Sequence, residues 1–60
     1  MNVSNLQVGK RIEARDPENK NKVSGVIVEI KEKSVVIMTD RGVKEFLPIF
    51  RLRSMTAKIR

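Results

Sequence analysis

The sequence predicts an all-β fold, a five-stranded antiparallel small barrel with a short helical turn before the last strand. Apolar residues recur at every second position over residues 22–52, between short polar turns, which is typical of strands with one buried face. The chain has 60 residues and no cysteine or histidine, so neither a disulfide framework nor the commonest zinc ligand can stabilise it. Closure of the sheet into a barrel is the remaining route to a stable fold.

The first strand is predicted over residues 10–15, because Ile12 and Ala14 alternate there with charged neighbours. Residues 16–21 are predicted to form the longest loop. Asp-Pro favours entry into a turn, and the polar residues that follow have nothing to bury.

The second strand, residues 23–31, has apolar residues on both faces, and we expect the larger set to be buried. That larger set comprises Val26, Val28 and Ile30. Ile27 is then expected on the outer face. Gly25 predicts a sharp bend that helps the sheet to close, and a simple loop residue is the alternative interpretation.

A tight turn leads into the third strand, residues 34–39, where Val35 and Ile37 are expected to point inward. The sequence Asp-Arg-Gly at residues 40–42 is a hairpin signal, because glycine adopts the positive φ that such turns require. The returning strand is expected over residues 43–47.

The end of the domain is predicted to contain one helical turn and a short last strand. Proline cannot donate a hydrogen bond to a sheet, so we expect the turn over residues 48–50 and the last strand at Leu52. Phe46 and Phe50 are expected to pack in the core. The chain then divides into an N-terminal segment over residues 1–9, the barrel domain over residues 10–54 and a basic tail over residues 55–60.

The order of these elements over about residues 8–54 resembles the Src-homology-3-like small barrels of the Tudor and KOW type. Three motifs are most similar to the C-terminal domain of ProQ RNA chaperones, namely VG at residues 8–9, VEI at residues 28–30 and KSVVI at residues 33–37. The strand SGVI at residues 24–27 is similar to KOW domains, and Sm-like barrels share the architecture. These resemblances imply contacts with RNA or with the transcription and translation machinery.

Charge is the second indication of function. The net charge is +6, from thirteen lysine and arginine residues against seven aspartate and glutamate residues. This charge favours a polyanionic partner. The alternative interpretation is that the positive charge only keeps a small protein soluble. Residues 51–60 carry four basic and no acidic side chains. Arg51 and Arg53 flank Leu52, so on a strand both would project outward, where each could bind a phosphate. The candidate interface comprises Arg51, Arg53, Lys58, Arg60, Arg41, Lys44 and Lys22.

We therefore expect a nucleic-acid-binding module, for RNA more than DNA, that contacts the phosphate backbone with little base specificity. The chain has no tryptophan or tyrosine, which argues against an aromatic cage for methylated lysine and against base stacking as the main source of affinity. The alternative is an adaptor that docks on polymerase or ribosomal proteins through outer apolar residues, namely Ile27, Val36 and Met38. A homo-oligomer formed through the same strands is a third outcome.

The sequence contains no pattern that indicates catalysis, a metal or a cofactor. Its hydroxyl groups lack a histidine base, and it has neither a glycine-rich phosphate loop nor the spacing of a calcium-binding loop. The first ten residues lack the basic start and apolar run of a targeting segment, and no stretch is long enough to span a bilayer. We expect a non-enzymatic cytoplasmic protein without a membrane partner.

Overall fold

A computed structural model of the protein describes residues 6–18 and 21–60. Over these residues the chain forms five β-strands and one short α-helix. In chain order the elements are β1 (Arg11–Arg15), β2 (Lys22–Ile30), β3 (Ser34–Thr39), β4 (Lys44–Pro48), α1 (Ile49–Ser54) and β5 (Thr56–Ile59). Most of the expected N-terminal segment, residues 1–5, lies outside the described residues. The prediction of a mostly β protein with a short helix before the last strand is confirmed.

All five strands belong to one antiparallel sheet in the order β4-β3-β2-β1-β5. The first four strands are neighbours in sequence and in space, whereas β5 crosses over to pair with β1. The register of that last pair places Ala57 opposite Ala14 and Ile59 opposite Ile12. The crossing brings the basic end of the chain beside its first strand. Closure of the sheet into a barrel stays a prediction.

The turn between β3 and β4 is the hairpin that the sequence predicts. Gly42 has a φ of 81°, a conformation that residues with a Cβ rarely adopt. Its N–H donates to the carbonyl of Thr39 at 2.9 Å, and the N–H of Thr39 donates to the carbonyl of Val43 at 2.8 Å. A glycine at this position therefore sets the register of the two strands.

One face of the sheet carries the hydrophobic core, and α1 packs against β4 and β5. The largest fully buried side chains are Ile12, Ile27, Ile37, Leu52 and Val35. The inward positions predicted for Val35 and Ile37 are confirmed. Ile37 lies directly opposite Ile27 across the β2–β3 pair, so the centre of the core is built from cross-strand contacts between branched side chains.

The predicted burial of the β2 side chains is wrong. Ile27 is fully buried, whereas the three expected core residues are between 37% and 39% exposed, namely Val26, Val28 and Ile30. Ile27 pairs with Ile37 but Glu29 pairs with Val36, so Val28 is the extra residue of a β-bulge. The bulge also turns Ile30, opposite Val35, to the same face as Ile27. Simple alternation cannot predict this change of face.

The predicted last strand at Leu52 is also wrong. Leu52 is buried as expected, but it lies on α1, and the last strand occupies Thr56–Ile59 within the segment assigned to a basic tail. Pro48 has the extended conformation of a residue that precedes a helix. Ile49 and Leu52 are three positions apart, which places them on the core side of the helix. Since helical spacing places both residues against the core, the chain forms α1 before it returns to the sheet.

Both phenylalanines are exposed, contrary to the expected core positions. Phe46 is 62% exposed and Phe50 is 79% exposed. On β4 the inward position belongs to Leu47, opposite Val35, which turns Phe46 to the outer face. There the Nζ of Lys31 lies 5.3 Å from the centre of the Phe46 ring, a cation–π contact.

Candidate nucleic-acid interface

A basic groove runs along the outer face of β1, β2 and β5, where the outer face is the side of the sheet opposite the core. Cross-strand register places Arg15 opposite Lys22 on one side and Thr56 on the other, and it places Glu13 opposite Lys58. The groove is lined by Glu13, Ala14, Arg15, Lys22, Thr56, Lys58 and Arg60. Three strands that are separate in sequence therefore combine their charges on one surface.

The groove has a strong excess of positive charge. Its four cationic side chains, all exposed, are Arg15, Lys22, Lys58 and Arg60. Against them stands a single carboxylate, Glu13, whose Oε2 lies 3.6 Å from the Nη2 of Arg60. Such a surface attracts polyanions, and its exposed ammonium and guanidinium groups can donate hydrogen bonds to phosphate oxygens.

Three of the predicted site residues meet in this groove, and Arg15 joins them without having been predicted. Lys22, Lys58 and Arg60 are brought together because β5 pairs with β1 instead of trailing as a tail. The signal for Arg15 was present in the sequence as the alternation of charged and apolar residues in β1, which places Glu13 and Arg15 on one face.

Arg51 and Arg53 lie elsewhere, on α1. Residues two apart on a helix are separated by about 200°, so their side chains leave different faces and do not project together as they would from a strand. The Nη2 of Arg51 lies 3.8 Å from the Oδ2 of Asp16, which directly follows β1. The predicted pairing of these two arginines on one strand is therefore wrong, although their role in binding stays a prediction.

Arg41 and Lys44 lie at the β3–β4 hairpin. Arg41 lines a second groove together with Lys22, Val23, Ser24, Thr39, Asp40, Val43 and Glu45. Lys44 pairs with Met38 at the edge of the sheet. The predicted interface is thus divided among the basic groove, the hairpin and α1, with Lys22 shared by the two grooves.

The apolar residues of the alternative docking site are mostly covered within the domain. Ile27 is in the core, and Val36, which lies on the outer face between Glu29 and Phe46, is only 3% exposed. Met38 is half-buried. The expectation that these three residues form an exposed apolar surface is therefore wrong.

An ion pair that the sequence did not indicate joins β1 to the β3–β4 hairpin. Nη1 of Arg11 donates to Oδ1 of Asp40 at 2.9 Å, and Nη2 donates to Oδ2 at 2.8 Å. The same Nη2 donates to Oγ of Ser24 at 3.1 Å. The hydrogen bond from Arg11 is the main reason that the pKa of Asp40 is lowered, and it also raises the pKa of Arg11.

This ion pair predicts a specific pH dependence of stability. Because the pKa of Asp40 is lowered in the folded protein, its contribution to the free energy of unfolding is complete above the ordinary pKa of 3.8. The contribution is lost as the pH falls through the folded value. We expect urea unfolding to show the wild type more stable than Asp40→Asn at neutral pH and equally stable in strong acid.

Arg11→Gln provides the matched variant, because it removes the donor and leaves the carboxylate. Its stability difference from the wild type should show the same pH dependence. A difference that persists unchanged in strong acid would contradict a contribution from the ionised carboxylate.

In the part of the chain that the structure describes, no group of three or more carboxylate, histidine or cysteine side chains could hold a metal ion. The buried side-chain nitrogen and oxygen atoms of these residues all have hydrogen-bond partners. Among the described residues, no helix is long and apolar enough to cross a bilayer.

Comparison of the chain with protein-family models, with curated proteins and with solved structures found no match.

Proposed function

We propose that this protein is a non-enzymatic nucleic-acid-binding module, for RNA more than DNA, that contacts the phosphate backbone through the basic groove. The observation that carries the proposal is the convergence of four exposed cations, three on strands β1, β2 and β5 and one directly after β5, with a single carboxylate among them. Exposed charges of one sign on neighbouring strands repel one another, and a bound polyanion relieves that repulsion. Binding of this kind depends on charge more than on base identity.

We further propose that the sheet closes into a small barrel of the Tudor and KOW type in a cytoplasmic protein. Three features support closure. The strand β5 crosses over to β1, a bulge increases the twist of β2, and Gly25 allows β2 and β3 to approach closely. The preference for RNA rests on the resemblance of the VG, VEI and KSVVI motifs to the C-terminal domain of ProQ RNA chaperones.

The proposal is tested by titrating a fluorescent single-stranded RNA with the wild type and with two double variants at several salt concentrations. Arg15→Gln with Lys58→Gln removes two charges from the basic groove, and Arg51→Gln with Arg53→Gln removes the same charge from α1. We expect the groove variant to bind more weakly and to reduce the slope of log affinity against log salt by about 1.4, since each single-strand phosphate contact contributes about 0.7. A duplex DNA of the same length is the second ligand.

The helix variant is the control for net charge, and it should change the salt slope much less than the groove variant. A larger loss of RNA affinity in the helix variant would place the interface at α1 and contradict the assignment of binding to the basic groove. Binding that is absent for every ligand, or that does not respond to salt, would contradict the nucleic-acid function.

An adaptor on transcription or translation machinery is the second candidate, and the exposed aromatic residues favour it. Phe50 is 79% exposed on α1, and Phe46 and Val43 are 62% and 53% exposed on or beside β4. Exposed aromatic side chains are enriched in protein interfaces. This candidate places docking at β4 and α1, not at the residues that the sequence suggested.

A further inference from the structure

We propose that Arg11 is an additional phosphate-binding residue whose guanidinium group is occupied by Asp40 in the free protein and is transferred to the nucleic-acid backbone on binding. This inference rests on the proposed function and deepens it. It assigns a binding role to Arg11, which the sequence pattern did not single out.

The first observation is the geometry of the ion pair. Two parallel N–H···O hydrogen bonds of 2.9 and 2.8 Å join Arg11 to Asp40. The same bidentate arrangement is the one that arginine makes with a phosphate, whose oxygens can replace those of the carboxylate. Asp40 therefore occupies the hydrogen-bonding positions that a phosphodiester would use.

The second observation is exposure. The side chains of Arg11 and Asp40 are 40% and 54% exposed, so a ligand can reach the pair without unfolding any part of the sheet. Asp40 lies in the hairpin turn and not on a strand, so its side chain can turn away while the ladder remains intact. Exposed pairs of this kind exchange partners at little cost, because water screens both charges.

The third observation is the position of Arg11 between two grooves. Arg11 lies on the outer face of β1, the face that Glu13 and Arg15 share. Its carbonyl accepts a hydrogen bond from the N–H of Arg60 at 2.9 Å. Its other partner, Ser24, lines the second groove with Lys22 and Arg41.

These positions place Arg11 between the cations of the two grooves. A backbone that follows the basic groove past Arg60 meets Arg11 next, and then Arg41 in the second groove, which Asp40 and Glu45 also line. Asp40 is the carboxylate that interrupts this path at Arg11. Its replacement by a phosphate would extend the contact by one residue.

The experiment compares four proteins in the RNA titration described above: the wild type, Asp40→Asn, Arg11→Gln and the double variant. Asp40→Asn should bind about three- to tenfold more tightly with little change in the salt slope, because Arg11 contacts the phosphate in both complexes. Arg11→Gln should reduce the salt slope by about 0.7, the contribution of one phosphate. The gain should disappear when Arg11 is also replaced. Glu32→Gln, at the other end of β3, removes the same charge and should give a much smaller gain.

A gain in Asp40→Asn that equals that of Glu32→Gln, or that persists in the Arg11→Gln background, would overturn the inference while leaving the proposed function intact. Binding by Asp40→Asn but not by the wild type would overturn both, because Asp40 would then keep Arg11 from the nucleic acid in the native protein. Absence of binding by all four folded proteins would overturn both. Complete displacement of the RNA by inorganic phosphate at matched ionic strength would mean that Arg11 binds a free anion. That result would also overturn the inference.

Discussion

Replacing Ile27 with alanine is expected to lower the free energy of unfolding by about 3 to 4 kcal/mol. Ile27 is fully buried and lies opposite Ile37, so its truncation leaves a cavity at the centre of the core that neighbouring strands cannot fill. A domain of 60 residues has a total stability of about 3 to 9 kcal/mol, so the variant should be close to unfolding. Urea unfolding followed by circular dichroism measures the change.

Val28→Ala is the matched control, since it removes apolar atoms from the adjacent residue of the same strand. Val28 is 39% exposed and is the extra residue of the bulge, so we expect a loss below about 1 kcal/mol. If Val28→Ala were the more destabilising of the two, β2 would have the opposite face in the core. That result would agree with the buried face of β2 that simple alternation predicts.

Gly25→Ala is expected to lower the free energy of unfolding by about 3 kcal/mol. A Cβ at this position would overlap the carbonyl oxygen of Met38 and would lie 2.8 Å from the Cα of Thr39. These are backbone atoms of β3, which cannot rotate aside as a flexible side chain can. The two strands would have to separate at the point where they are hydrogen-bonded, and thermal unfolding should report a much lower midpoint.

Gly42→Ala separates this packing effect from the general effect of adding a methyl group to a glycine. Gly42 has positive φ but no atom within 4 Å of an added Cβ, so only backbone strain of about 1 to 2 kcal/mol is expected. A smaller loss for Gly25→Ala than for Gly42→Ala would mean that β2 and β3 do not approach closely at Gly25.

The hairpin and the buried faces of β1 and β3 were predictable because their signals are local. Gly42 adopts the positive φ that its turn requires. Ile12 and Ala14 alternate with charged residues, which remain outside the core. In β2, by contrast, both faces carry apolar residues, so alternation alone does not choose between them. The bulge at Val28 and the partner Ile37 make that choice.

The candidate site was predictable only in part. Composition indicated a polyanionic ligand, and three of the seven predicted cations line the basic groove. The pairing of β5 with β1 brings Lys58 next to Glu13 and Arg15, although more than 40 residues of sequence separate them. Spacing along the chain carries no information about a contact of that kind. The bidentate bond between Arg11 and Asp40 was missed for the same reason.

The amino-acid pattern alone was therefore enough for the class of fold, the hairpin and the presence of a short helix before the last strand. Each of these depends on residues close together in sequence or on composition. The buried face of β2, the exposure of both phenylalanines and the grouping of cations into a groove depend on which strands pair and in what register. Register and crossover are set by packing of the whole core, where a shift of one residue exchanges the two faces of a strand.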